Sequence, residues 1–126
     1  MILKDFDLIE PRSLPKLLNV VDQYKKSAKM IAGGTDLLVE MKLGINAPSV
    51  LISLRNISEL SQISFHPKSG LRLGAMTTIH EIETSHLIQR HYPLLVQAAS
   101  RMGSLQVRNQ ATVGGNVCQA SPAGDM

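Results

Sequence analysis

Apolar side chains recur along this chain in two rhythms. Leu14, Leu17, Leu18, Val21 and Tyr24 are spaced by threes and fours, which predicts an amphipathic helix running to about Lys26. Ser13 stands where an N-cap belongs, and Pro15 fits the first turn. Short apolar runs flank this helix. Phe6 to Ile9 reads as a strand ended by Pro11, and Lys29 to Ala32 as a strand running into Gly33-Gly34. Leu37, Leu38 and Met41 then share one helical face, with Thr35 or Asp36 as cap and Gly44 as stop. Beyond Pro48, Val50 to Leu54 has the branched, unbroken apolar pattern of a buried strand. The order is β-α-β-α-β, one small α/β unit over residues 1–56.

The pattern changes after residue 56. Ile57 to Leu60 predicts one helical turn. Ile63 to Phe65 and Leu71 to Ala75 predict a hairpin about the loop His66 to Gly70. Thr78 caps a helix covering His80 to Glu83. A longer one follows Tyr92-Pro93, with Leu94, Leu95, Ala98, Ala99 and Met102 at helical spacing. Gly103 to Gln110 reads as a loop or short strand. A second glycine-rich stretch, read as a loop, follows and runs to the last residue, Met126. Residues 57–126 therefore read as an α+β unit begun and not finished, whose uncovered strand faces predict self-association or a partner chain.

Composition narrows the function classes. The 126 residues are 44% hydrophobic and 18% charged, as in a globular protein. No run approaches the roughly 20 apolar residues of a membrane span. Asp5, Asp7 and Glu10 sit where a signal peptide needs an apolar core, so a cytoplasmic location is expected. The net charge of +3 and four aromatic residues argue against a nucleic-acid binder. Lys25, Lys26 and Lys29 read as a solvated helix end. The one cysteine, Cys118, cannot form an internal disulfide, and the four scattered histidines do not make a metal site.

Candidate chemistry lies in two segments, Ile31-Ala32-Gly33-Gly34-Thr35-Asp36-Leu37-Leu38 and Ala111 to Asp125. Glycine permits positive φ and close approach of a ligand to the backbone. Free N–H groups at the helix start beyond Gly33-Gly34 suit a phosphate. A tight turn without a ligand reads equally well there. Neither a Gly-x-Gly-x-x-Gly nor a Gly-Lys-Ser/Thr motif occurs. In the second segment Thr112, Asn116, Gln119 and Ser121 crowd short polar groups around Gly114-Gly115, and Asp125 is an acceptor for a sugar hydroxyl. A plain turn does not need that density, so a ligand loop is favoured. Ser121 has no histidine nearby in sequence, so no hydrolytic triad can be argued.

These two segments, with Leu73-Gly74-Ala75-Met76-Thr77-Thr78, resemble the FAD-binding subunit or domain of the molybdenum hydroxylases, the xanthine dehydrogenase and aerobic carbon monoxide dehydrogenase type. The resemblance spans the whole chain in order. It implies an α+β protein: a small βαβαβ subdomain over 1–56, then the start of a second α+β subdomain over 57–126, truncated within the FAD-binding fold of the vanillyl-alcohol oxidase type. It implies FAD as cofactor, with backbone of Ala32, Gly33, Gly34, Thr35, Asp36 and Leu37 at the pyrophosphate. Thr112, Gly114, Gly115 and Asn116 would face phosphates or ribityl from the other side. Gln119 would touch the flavin or its chain, Asp125 a sugar hydroxyl, and Met102 the cofactor in place of an aromatic. Arg101 and Arg108 read either as positive potential near the phosphates or as solvated surface. Cys118 reads as a buried small residue.

The resemblance further implies electron transfer from iron–sulfur clusters to FAD and on to NAD or another acceptor. The partners implied are a molybdopterin-binding subunit and an iron–sulfur subunit. No catalytic acid or base is expected in the chain itself. Two other readings are a truncated or non-catalytic remnant that keeps the fold without flavin activity, and a nucleotide-binding assembly module.

Overall fold

Val50, Leu51, Ile52 and Ser53 are buried along the whole of strand β3 (Val50–Ser53), and the first half of the chain is arranged around it. In the computed structural model, which describes residues 3–122 and 124, β3 lies between β1 (Asp7–Ile9) and β2 (Ala28–Ile31). Both neighbours run parallel to it, with Leu8 opposite Leu51 and Met30 opposite Ile52. Parallel strands need crossovers. Helix α1 (Leu14–Tyr24) joins β1 to β2, and the short α2 (Leu37–Lys42) joins β2 to β3. The Ser13 hydroxyl accepts from the Lys16 N–H, as the N-cap reading requires. Leu17 of α1 packs with Ile52 and Ile57, and Leu14, Val21, Leu54 and Leu60 surround them.

A 3-10 turn at Ser58–Ser61 leads into a hairpin of β4 (Ile63–His66) and β5 (Gly70–Leu73), with Ile63 opposite Leu73. The second strand ends two residues earlier than its apolar pattern predicts. Thr77 N–H turns back to the Gly74 carbonyl, and Gly74 presses on Leu60, whose oxygen would lie 2.2 Å from a Cβ there. Helix α3 (Ile79–Thr84) opens with a reciprocal cap: Thr78 Oγ1 accepts from Glu81 N–H, and the Glu81 carboxylate accepts from Thr78 N–H. Helices α4 (His86–His91) and α5 (Pro93–Arg101) follow. Ile79, Ile82, Ile88, Ala99 and Ala111 form a second core, with Leu71, Leu73 and Leu95 against it. Each fully buried isoleucine contributes about 1.5–3 kcal/mol. Phe65 of the hairpin stacks on His91 at 3.7 Å between ring centroids, which ties β4 to α4.

Two segments depart from expectation. Residues 105–110 are neither loop nor strand but helix α6 (Leu105–Gln110), capped by the Ser104 hydroxyl on Val107 N–H. The second glycine pair is not in a loop. It forms the first turn of helix α7 (Val113–Gln119), capped by Thr112 on Gly115 N–H. The whole is mixed α+β, and among the described residues no helix is long and apolar enough to cross a membrane.

Candidate functional site

The two glycine-rich segments meet. A cleft of about 360 Å³ lies between them. Ala32, Gly33, Gly34, Thr35, Asp36 and Leu37 line it from the first half. Met102, Thr112, Gly114, Gly115, Asn116 and Gln119 line it from the second. Asp125 lies outside the described residues. Lys29, Glu40, Ala75 and Cys118 also line the cleft, and of these Lys29 and Glu40 lie outside every motif.

On the first side, β2 ends and the chain turns through Gly33-Gly34 into α2. Gly34 has φ +77°, a conformation that disfavours any Cβ. Gly33 is not left-handed. It is needed because a Cβ there would lie 1.9 Å from the carbonyl oxygen of Gln110, at the end of α6. Past the turn, Leu38 N–H donates to Gly34 and Glu40 N–H to Asp36. The N–H groups of Thr35, Asp36 and Leu37 find no acceptor among the described residues. Three adjacent unspent donors at a glycine turn fit a phosphate group.

On the second side the donors are spent. Val113 N–H goes to the Thr77 carbonyl and Gly114 N–H to that of Ala75, both at 2.9 Å. Gly115 N–H goes to Thr112 Oγ1, and Asn116 N–H to the Thr112 carbonyl. Gly114 is held so close that a Cβ would lie 2.6 Å from the Ala75 oxygen. What α7 offers the cleft is small surface at Gly114 and Gly115 and the side-chain amide of Asn116.

Gln119, at the end of α7, donates through Nε2 to Glu40 Oε1 at 2.9 Å. Asn46 donates to the other oxygen of Glu40. The Gln119 hydrogen bond first, then that from Asn46, hold the Glu40 carboxyl below its ordinary value of 4.5, with burial opposing and the charge of Lys29 assisting.

The two arginines do not face the cleft. Arg108 is largely buried and donates from Nε to Glu83 at 3.0 Å and from its terminal nitrogen to the carbonyls of Met102 and Gly103. It is neither a phosphate ligand nor solvated surface; it fastens the α5–α6 connection, and with it Met102, to α3. Arg101 is exposed. Cys118, expected to be buried, is also exposed. Among the described residues no cluster of histidine, cysteine or carboxylate has the arrangement of a metal site.

Comparison with known proteins places this architecture. Residues 4–126 match the family model described as the FAD binding domain in molybdopterin dehydrogenase. The chain is 37% identical over 124 residues to the nicotinate dehydrogenase FAD-subunit of Eubacterium barkeri, covering 98% of this chain and 42% of that one. It is 35% identical to the carbon monoxide dehydrogenase medium chain of Hydrogenophaga pseudoflava, over 99% of this chain and 43% of that one. The solved structure of carbon monoxide dehydrogenase from that organism superposes with a TM-score of 0.94 at 35% identity, over 98% of this chain and 43% of the other. Quinoline 2-oxidoreductase from Pseudomonas putida 86 superposes at 0.90 with 33% identity, over 96% and 42%. The chain thus spans less than half the length of these relatives. The two glycine turns, the cleft between them and the match over residues 4–126 make the chain a member of the FAD-binding domain family of molybdopterin dehydrogenases.

Proposed function

We propose that the chain holds FAD in the cleft between its two halves, as part of the flavin component of a molybdenum-hydroxylase-type oxidoreductase. The observation that carries this is the meeting of two distant glycine turns around one cleft, with three unspent amides on one side. The N–H groups of Thr35, Asp36 and Leu37 donate to the pyrophosphate; hydrogen bonds to a charged group contribute about 1.5–3 kcal/mol each. Ala32, Gly33 and Gly34 keep that approach free of side-chain bulk. From α7, Thr112, Gly114 and Gly115 form a close-packed wall, and Asn116 and Gln119 present amides to sugar, ribityl or ring atoms. Met102 supplies a polarisable apolar contact.

Bound FAD would supply the redox chemistry, taking electrons from iron–sulfur clusters on a partner and giving them to an acceptor such as NAD. The chain's own residues bind and orient; none is placed as an acid or base. The partners are then a molybdopterin-binding subunit and an iron–sulfur subunit. Exposed apolar side chains such as Leu94 and Ile45 offer surface for them or for a second copy.

The test is titration of the chain with FAD. Saturable quenching of flavin fluorescence is expected, and Gly34→Val should abolish it, because valine is strained at positive φ. Quenching unchanged in that variant would put the flavin elsewhere.

A further inference from the structure

Beyond Ile57 and Leu60, which join the first core, no helix or strand of one half packs extensively on one of the other among the described residues. Gly33 packs on the backbone of Gln110 and Ala111, and a Cβ at Gly115 would just reach Ala32. Among the described residues, none before 57 shares the second core, and none beyond 60 shares the first. Apart from the chain-local bond from Ile57 N–H to the Leu54 carbonyl, one hydrogen bond between described residues joins the halves: Gln119 Nε2 to Glu40 Oε1, across 79 positions of sequence. Both side chains line the cleft.

The acceptor is prepared for this bond. Glu40 sits in the short helix α2, and its second oxygen accepts from Asn46 Nδ2. The loop carrying Asn46 is itself tied down, since the N–H groups of Ile45 and Asn46 both donate to the Glu40 carbonyl. The carboxylate is therefore held by its own neighbourhood before α7 arrives. A carboxylate only accepts, so the amide of Gln119 must turn its NH₂ towards α2 and keep Oε1 as an acceptor for another group.

We propose that Glu40 is a positioning residue: through Gln119 it clasps α7 to α2, fixes the width of the cleft, and thereby raises its affinity for the cofactor. The inference rests on the flavin reading of the cleft for its effect on affinity, but the clasp itself belongs to the free chain. Without it, no hydrogen bond between described residues holds α7 to α2, and binding must first fix the two walls relative to each other. That ordering opposes affinity.

The experiment uses the whole chain in four forms: unaltered, Glu40→Gln, Gln119→Glu, and the exchanged pair Glu40→Gln with Gln119→Glu. The exchanged pair restores an amide donor facing a carboxylate with the roles reversed, and Asn46 still has an amide oxygen to meet. Two quantities are read. Amide hydrogen exchange along α7 is measured without FAD, and FAD dissociation constants are measured by fluorescence. A charge-assisted hydrogen bond at an exposed edge predicts roughly threefold to tenfold faster exchange and weaker binding in Glu40→Gln. Gln119→Glu, which sets two carboxylates face to face, should show the larger effect. The exchanged pair should return to within about twofold of the unaltered chain; a merely structural defect at either position would not be rescued by a second substitution. If all four forms bind FAD with equal affinity, the clasp is overturned. If none binds FAD, yet α7 loosens in the single variants and tightens in the exchanged pair, the clasp stands and the flavin reading falls.

Discussion

The two glycine pairs carry the same dipeptide and obey different physics. At Gly33-Gly34 the chain leaves a strand, and one glycine takes a left-handed φ that a side chain would resist. The amides that follow are unspent. At Gly114-Gly115 the backbone is ordinary helix, and every amide from Val113 to Asn116 already donates within the protein. The first pair frees donors for a ligand. The second removes bulk so that α7 can lie against Ala75. Identical composition thus encodes an electrostatic half-site in one place and a steric one in the other. A glycine pair becomes informative only when its donors are traced.

That contrast can be broken at its seam. Gly33→Val puts a branched side chain where a Cβ already lies 1.9 Å from the Gln110 oxygen, so the two halves must separate. The expected cost is about 3 kcal/mol or more, which is a hundredfold or greater loss of FAD affinity by titration. Retained affinity would show that the halves do not need to touch. On the steric side, Gly114→Ala should cost about 1–3 kcal/mol of stability in denaturant melts, since backbone and not a flexible side chain blocks the new methyl. If instead FAD binding falls while stability is unchanged, the missing side chain at Gly114 makes room for the ligand rather than for Ala75.

The packing behind the second wall sharpens the comparison in the opposite direction. Thr77 is fully buried, and its hydroxyl has no hydrogen-bond partner among the described residues. Thr77→Val keeps the shape and removes the unpaired group, so stability should rise by about 1 kcal/mol, seen as a higher melting midpoint. A fall would mean the hydroxyl is paired in solution. The smallest effect is expected at Glu83. Burial pushes its carboxyl up, but the hydrogen bonds from His80 and Arg108 outweigh that and leave it below the ordinary value. A depressed folded value means that its stabilisation is complete above the ordinary carboxylate range and is lost as pH falls through the depressed value. Melting temperature measured from about pH 6 down to about pH 3 should therefore decline less steeply in Glu83→Gln than in the unaltered chain.

Much of this was legible from local pattern. Ser13, Pro15 and the spacing of Leu14, Leu17 and Val21 are enough for α1, because cap and apolar face lie within a few residues of each other. The run Val50 to Ser53 is enough for a strand buried on both faces. Residues 103–110 were misleading. Leu105 and Val107 alternate as in a strand, while the signal for a helix, Ser104 as cap, is a single polar residue after a glycine. At α7 the two glycines argue for a loop, and what overrides them is tertiary: the Ala75 and Thr77 carbonyls that receive the first amides. The same limit governs the cleft. Its glycine turns announce themselves, but Glu40 and Lys29 have no motif. Arg108 is drawn away from the cleft by Glu83, a partner 25 positions distant that no spacing rule connects to it.

The order β1-β3-β2 sets a timetable as well as a shape. The two strands made first do not touch; each pairs only with β3, the last of the three to be synthesised. During translation the first two strands must wait with unpaired edges until Ser53 has emerged, and Leu17 without its full set of partners until Ile57 has followed. Pairing then closes both crossovers against one central strand, a concerted event of the kind that makes parallel sheets slow to form. The floor beneath the Gly33-Gly34 turn is therefore assembled all at once, by the strand that follows it in the chain.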